Sequence, residues 1–118
     1  MIAAMPTSFT ANADYLVIDR SPIVVEAGQE VCVGAPDRTW PGWVHVTVAG
    51  GRGTYIPGAC LRMTGPTDAV VGERFDGTDL SVRRGDRVES LRETAGWHWC
   101  RNSAGREGWV PGYLLGPA

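Results

Sequence analysis

Hydrophobic and polar residues in this chain alternate over short runs, and glycine or proline interrupts them every few positions. The run VHVTV at 44–48 places Val44, Val46 and Val48 on one face of a strand and His45 and Thr47 on the other, with Trp43 on the side of His45. The same phase in WHWC at 97–100 turns His98 and Cys100 inward and Trp97 and Trp99 outward. The stretches 23–33 and 80–91 each read as two short strands around a glycine turn, at Gly28 and Gly85. Near the C-terminus, Trp109 is expected to face the core beside Val88 and Cys100. Pro111 ends that strand, and Tyr113 covers one end of the fold. With 16 glycines and 8 prolines in 118 residues, the chain predicts strands joined by tight turns rather than helices.

The pattern is written twice. At one constant spacing Gly42-Trp43 falls on Gly96-Trp97, Gly51 on Gly105, Tyr55 on Trp109, Pro57-Gly58 on Pro111-Gly112 and Leu61 on Leu115. Upstream, at a spacing three residues longer, Ile23 falls on Leu80, Val25 on Val82, Gly28 on Gly85 and Val31 on Val88. The difference is absorbed by the turn-rich loop that holds Trp40, for which the sequence suggests no core role. Two domains are therefore expected, 13–62 and 68–116, joined by the short linker MTGPT at 63–67. Five or so short strands in each copy predict an all-β protein of two small antiparallel barrels.

Composition narrows the chemistry. A net charge of -2 leaves no basic footprint for nucleic acid. All 11 basic residues are arginines, which a GC-rich coding sequence explains, and only Arg83, Arg84 and Arg87 cluster. The first fifteen residues have no basic region followed by an apolar run, and no segment reaches the ~20 apolar residues of a membrane span. A cytoplasmic protein without membrane partners is the expectation. Three scattered cysteines form neither a disulfide framework nor a zinc-ligand spacing. Inert thiols are expected, with a Cys32–Cys60 bond as the alternative. His45 and His98 lie on opposite faces of equivalent strands, His98 inward and His45 exposed, so neither has partners for catalysis or metal binding. AGGRG at 49–53 is a turn and not a phosphate loop. No enzyme and no cofactor are expected.

The second copy resembles an SH3 domain along nearly its whole length, through Asp79-Leu80-Ser81-Val82, Gly85-Asp86, Trp97-His98-Trp99 and Gly105-Arg106-Glu107-Gly108-Trp109-Val110-Pro111. The first copy is similar through Gly28, Gly42-Trp43 and Tyr55-Ile56-Pro57. The resemblance implies two tandem five-stranded antiparallel SH3-like barrels. It further implies a shallow aromatic groove that takes a proline-rich or extended peptide in the polyproline II conformation. Carried over, the groove would use Trp97, Pro111, Tyr113 and the acidic Asp79 in the second copy, and Trp43 and Pro57 in the first. The family's opening groove tyrosine aligns with Glu73, with Phe75 kept as a core aromatic of the second copy. A protein or peptide ligand is the expected partner. The alternatives are recognition of cell-wall peptidoglycan, or a structural or regulatory subunit whose two grooves, tryptophans included, pack against each other.

Overall fold

The computed structural model describes residues 7–17, 22–36 and 41–118; Trp40 lies outside them. The described residues are all-β: twelve strands and two 3-10 turns, Gly58–Cys60 and Gly112–Leu114, with no α-helix and so none that could cross a membrane. The strands are β1 (Thr7–Ala11), β2 (Val24–Val25), β3 (Glu30–Pro36), β4 (Trp43–Thr47), β5 (Gly53–Pro57), β6 (Leu61–Met63) and β7 (Asp68–Val71). They continue with β8 (Phe75–Asp76), β9 (Arg87–Thr94), β10 (Trp97–Asn102), β11 (Glu107–Pro111) and β12 (Leu115–Pro117).

The compact units do not follow the repeat boundaries expected at 13–62 and 68–116. One unit is continuous, Pro22–Gly77; the other is assembled from both ends of the chain, Met1–Ser21 with Thr78–Ala118. We call them the inserted unit and the split unit. The inserted unit carries a five-stranded antiparallel sheet in the order β5-β4-β3-β7-β6 and the small pair β2-β8. The split unit carries the matching sheet, β11-β10-β9-β1-β12. In neither sheet do the two outer strands pair with each other, so hydrogen bonding does not close either one into a barrel.

Registers show how the two sheets correspond. Ala69 of β7 lies opposite Val31, and Phe9 of β1 lies opposite Val88, the repeat partner of Val31. Met63 faces Ala69, and its repeat partner Pro117 faces Phe9. Val25 faces Phe75, and Val82, the repeat partner of Val25, is bridged to Tyr15. Thus β1 and β7 are equivalent strands, and Tyr15 is the counterpart of Phe75. The split unit is a circularly permuted inserted unit, the start of β1 and the end of β12 lying where the inserted unit has the β6–β7 turn.

That turn explains the departure. The segment read as a linker, MTGPT, is instead the end of β6 and a tight connection into β7. The amides of Thr64 and Gly65 both donate to Asp68 O, at 2.9 and 3.2 Å. A hairpin this short closes with little loss of chain entropy, so β7 joins its sequence neighbour β6. The equivalent place in the other sheet is left to β1. Phe75 goes with β7 and packs edge-on against Trp43 of the inserted unit, ring centroids 5.7 Å apart.

Alternation fixes the cores. Ala11, Leu80, Val82, Val88, Cys100 and Val110 form the buried cluster of the split unit, with Phe9, Tyr15 and Leu115 packed on it. Ser90 is the buried polar residue among those described, and its Oγ lies 2.7 Å from His98 Nδ1. His98 is inward as expected. Its Nε2 is 3.3 Å from Glu93 Oε2, and its ring meets Phe9 edge-on. In the inserted unit Ile23, Val25, Val31, Val46, Ile56, Ala69 and Val71 are buried. His45 is half-buried rather than exposed, its ring against Tyr55. None of the three cysteines is joined in a disulfide.

The strand assignment makes a sharp prediction. Ala11 and Ala69 are both 1% exposed, and an unpaired carboxylate at either costs about 3 kcal/mol or more. In native-state hydrogen exchange, Ala11→Asp is expected to unprotect Val88 and Cys100 first, and Ala69→Asp to unprotect Val31 and Val71. Loss of protection at Val88 in Ala69→Asp, with Val31 and Val71 unaffected, would restore the simple tandem arrangement.

Candidate functional site

Side chains of the split unit that face away from its core gather at the start of β10. Ala95-Gly96 make the two-residue turn between β9 and β10, with φ of 46° and 89°, the geometry of a primed hairpin turn. The turn fixes the register Thr94↔Trp97 and so sets Trp97 at the head of its strand, opposite Pro111. Tyr15 comes from the far end of the sequence and meets Trp97 edge-on, ring centroids 6.1 Å apart at 71°. Its hydroxyl donates to Asp79 Oδ2 at 3.2 Å.

Asp79 is carried in by a close backbone approach. Leu80 N donates to Trp109 O and Trp109 N donates to Thr78 O, bridging Asp79 to β11. A Cβ on Gly108 would lie 2.7 Å from the backbone of Asp79 and Leu80, so only glycine lets the two segments approach this closely. Tyr113, on the 3-10 turn after β11, is 70% exposed. The result is a half-buried tyrosine and tryptophan, an exposed tyrosine and a carboxylate on one face of one unit. Burial, followed by the charge and hydrogen bond of Asp79 and a smaller influence of Tyr113, pushes the Tyr15 phenol well above its usual range. The phenol therefore stays neutral and keeps donating.

The seven residues expected to bind are divided between the units. Trp97, Asp79 and Tyr113 come together in the split unit. Pro111, expected at the surface, is fully buried beneath them as the strand partner of Trp97. Trp43, expected outward, is 6% exposed because Phe75 covers it, and its strand partner Pro57 is buried too. Glu73 belongs to the inserted unit, where its Oε1 lies 3.5 Å from the Cys60 thiol. The position equivalent to Glu73 in the split unit is Ala13, and the aromatic beside Trp97 is Tyr15, the counterpart of Phe75. A comparison of FTANADYL with AVVGERFD would have found it, since Phe9, Ala11 and Tyr15 match Ala69, Val71 and Phe75 in spacing.

Trp109 is buried, but not beside Val88 and Cys100. Its partner across the strands is Trp99, so the two rings share the outer face, 5.3 Å apart, with the Arg92 guanidinium 5.1 Å from the Trp109 ring. Trp99 Nε1 donates to Glu107 at 2.8 Å. The core position falls to Val110 instead. Burial pushes the Cys100 thiol up to about 11, which keeps it protonated and unreactive. Among the described residues no three His, Cys, Asp or Glu side chains are arranged to hold a metal ion.

No protein-family model matches the chain, and no curated protein does.

The Tyr15–Asp79 contact is testable through pH. A phenol whose folded pKa is raised adds stability that is complete below its unfolded value and is lost as pH rises past it, here above about pH 10. Tyr15→Phe is expected to cost about 1 kcal/mol at neutral pH and to flatten the alkaline decline in stability between about pH 10 and 11, measured by urea unfolding. An unchanged alkaline slope would mean that the phenol is not held as described. Replacing Gly108 by alanine is expected to cost about 2 kcal/mol or more and to shift the Asp79 amide resonance, since the two backbones must part.

Proposed function

We propose that this protein is a non-enzymatic peptide-docking module of SH3-like construction, and that the split unit carries its binding site. The observation behind this reading is the Tyr15–Trp97 pair beside the exposed Tyr113, with Asp79 held at its edge. Aromatic faces at right angles offer slots for the flat rings of proline. A segment already in the polyproline II conformation loses little entropy on entering them. Asp79 offers a carboxylate to a lysine or arginine of the same peptide, an attraction that salt weakens.

The inserted unit has the same pair and a different outcome. Trp43 and Phe75 are 6% and 4% exposed, and the positions of Asp79 and Tyr113 are taken by Pro22 and Ala59. It lacks the carboxylate, the phenol and the exposure. The tandem therefore presents one site of this kind, not two, and the inserted unit serves as scaffold.

Titration of the 15N-labelled chain with a ten-residue polyproline peptide ending in arginine tests this directly. Expected are shifts at the Trp97 indole and the Tyr15 and Tyr113 amides, a one-to-one end point and no shift at the Trp43 indole. Asp79→Asn is expected to weaken binding about tenfold at low salt, roughly 1.4 kcal/mol, and to remove most of its salt dependence. Absence of any shift at about 1 mM peptide, near the weak limit of specific recognition, would sink the proposal.

A further inference from the structure

The split unit has a place for a strand that the chain itself fills from a distance, and that place is a docking surface. We propose that a second copy of this chain supplies the segment from Thr7 to Tyr15 there, so that two chains exchange β1 and each provides the tyrosine of the other's aromatic site.

The argument begins with the two equivalent strands. In the inserted unit, β7 is tied to β6 by the tight turn at Thr64–Thr67. In the split unit, β1 occupies the same position between β9 and β12, yet it is joined to them only through the whole inserted unit. No short turn holds β1 in its own copy. Exchange leaves every strand pairing unchanged and alters only which chain contributes β1, which makes it an inexpensive route to a dimer.

The place does not stay empty. Without β1, β9 and β12 would both show unpaired backbone edges, and Ala11 and Phe9 would leave the core cluster open. Its fit is specific to this chain's own segment. Phe9 meets the His98 ring edge-on at 5.3 Å, and Asn12 N donates to Leu114 O at 2.7 Å. Asp14 Oδ1 accepts from Arg84 N at 2.8 Å, and Tyr15 donates to Asp79. A foreign strand would match the backbone but not this set of side chains, so a second copy is the favoured occupant.

Tethering decides the balance. A strand on the same chain acts at an effective concentration on the order of 1 mM, so the closed monomer dominates dilute solution, and exchange competes when chains fold close to that concentration. The exchanged form then persists on dilution, because release requires the split unit to open.

The test uses the full chain with Ser8→Cys and Glu89→Cys, residues paired across β1 and β9, and with Cys32, Cys60 and Cys100 replaced by Ser, Ala and Ala. The reduced chain is refolded at about 10 μM, well below the effective concentration of the tether, and at about 1 mM, close to it, then diluted and oxidised. Expected is a covalent monomer from the dilute refolding and a covalent dimer at least tenfold enriched from the concentrated one. Covalent monomer alone at both concentrations would overturn the proposal. So would equal dimer from a Ser8→Cys, Ser103→Cys control, which reports chance collision. Should the substituted chain not fold, the unaltered chain refolded at the same two concentrations is sized by sedimentation. A dimer from the concentrated sample that survives dilution supports exchange, and monomer alone overturns it.

Discussion

Strand β1 holds the split unit's sheet together, because it lies between β9 and β12 and pairs with both. Everything on that side of the molecule follows from its placement. It completes the hydrogen bonding of β9 and supplies the strand partner of β12, seals the core with Ala11 and Phe9, and delivers Tyr15 to Trp97. Its equivalent, β7, could in principle have filled the same place. The tight turn after β6 prevents it, since a local hairpin forms at far smaller entropic cost than a contact across the whole chain. One short turn in the middle of the sequence thus forces the two ends of the chain into the same sheet.

The duplicated units have diverged around this common frame. Each has an aromatic pair at right angles, Tyr15 with Trp97 and Phe75 with Trp43. The first pair carries a hydroxyl bonded to a neighbouring carboxylate and stays half-buried. The second pair has neither and sinks into the core, with the exposures of Trp43 and Phe75 both below a tenth. The outer faces differ in the opposite sense. Trp99 and Trp109 are covered by Arg92, whereas the equivalent His45 and Tyr55 lie together with Tyr55 half exposed. Each unit therefore shows aromatic surface where the other hides it.

The perturbed groups, Tyr15 and Cys100, are both held in their neutral forms, the first by burial and a carboxylate and the second by burial. Neutral and hydrogen-bonded, Tyr15 serves as a rigid wall that also orients Asp79. In the proposed docking site, such a wall would favour a peptide whose own shape is already set.

Alternation and turn residues determined much by themselves. They gave the all-β class, the inward His98 and Cys100, the outward Trp97 and Trp99, and the doubled pattern of glycine, tryptophan and proline. These are local properties, set by a two-residue period and by backbone conformations that few residues adopt. What the sequence did not reveal was which copy of a strand joins which sheet, because β1 and β7 carry the same pattern and differ only in what they are tethered to. From that single ambiguity came the misplaced Glu73 and Phe75, the overlooked Tyr15 and the outward reading of Trp43. Trp109 was misread for a related reason: its face is fixed by Trp99 across the strands, and its burial by Arg92 above it. Tertiary structure decided these matters because pairing and covering are contests between distant segments, and a strand's own residues do not say who wins them.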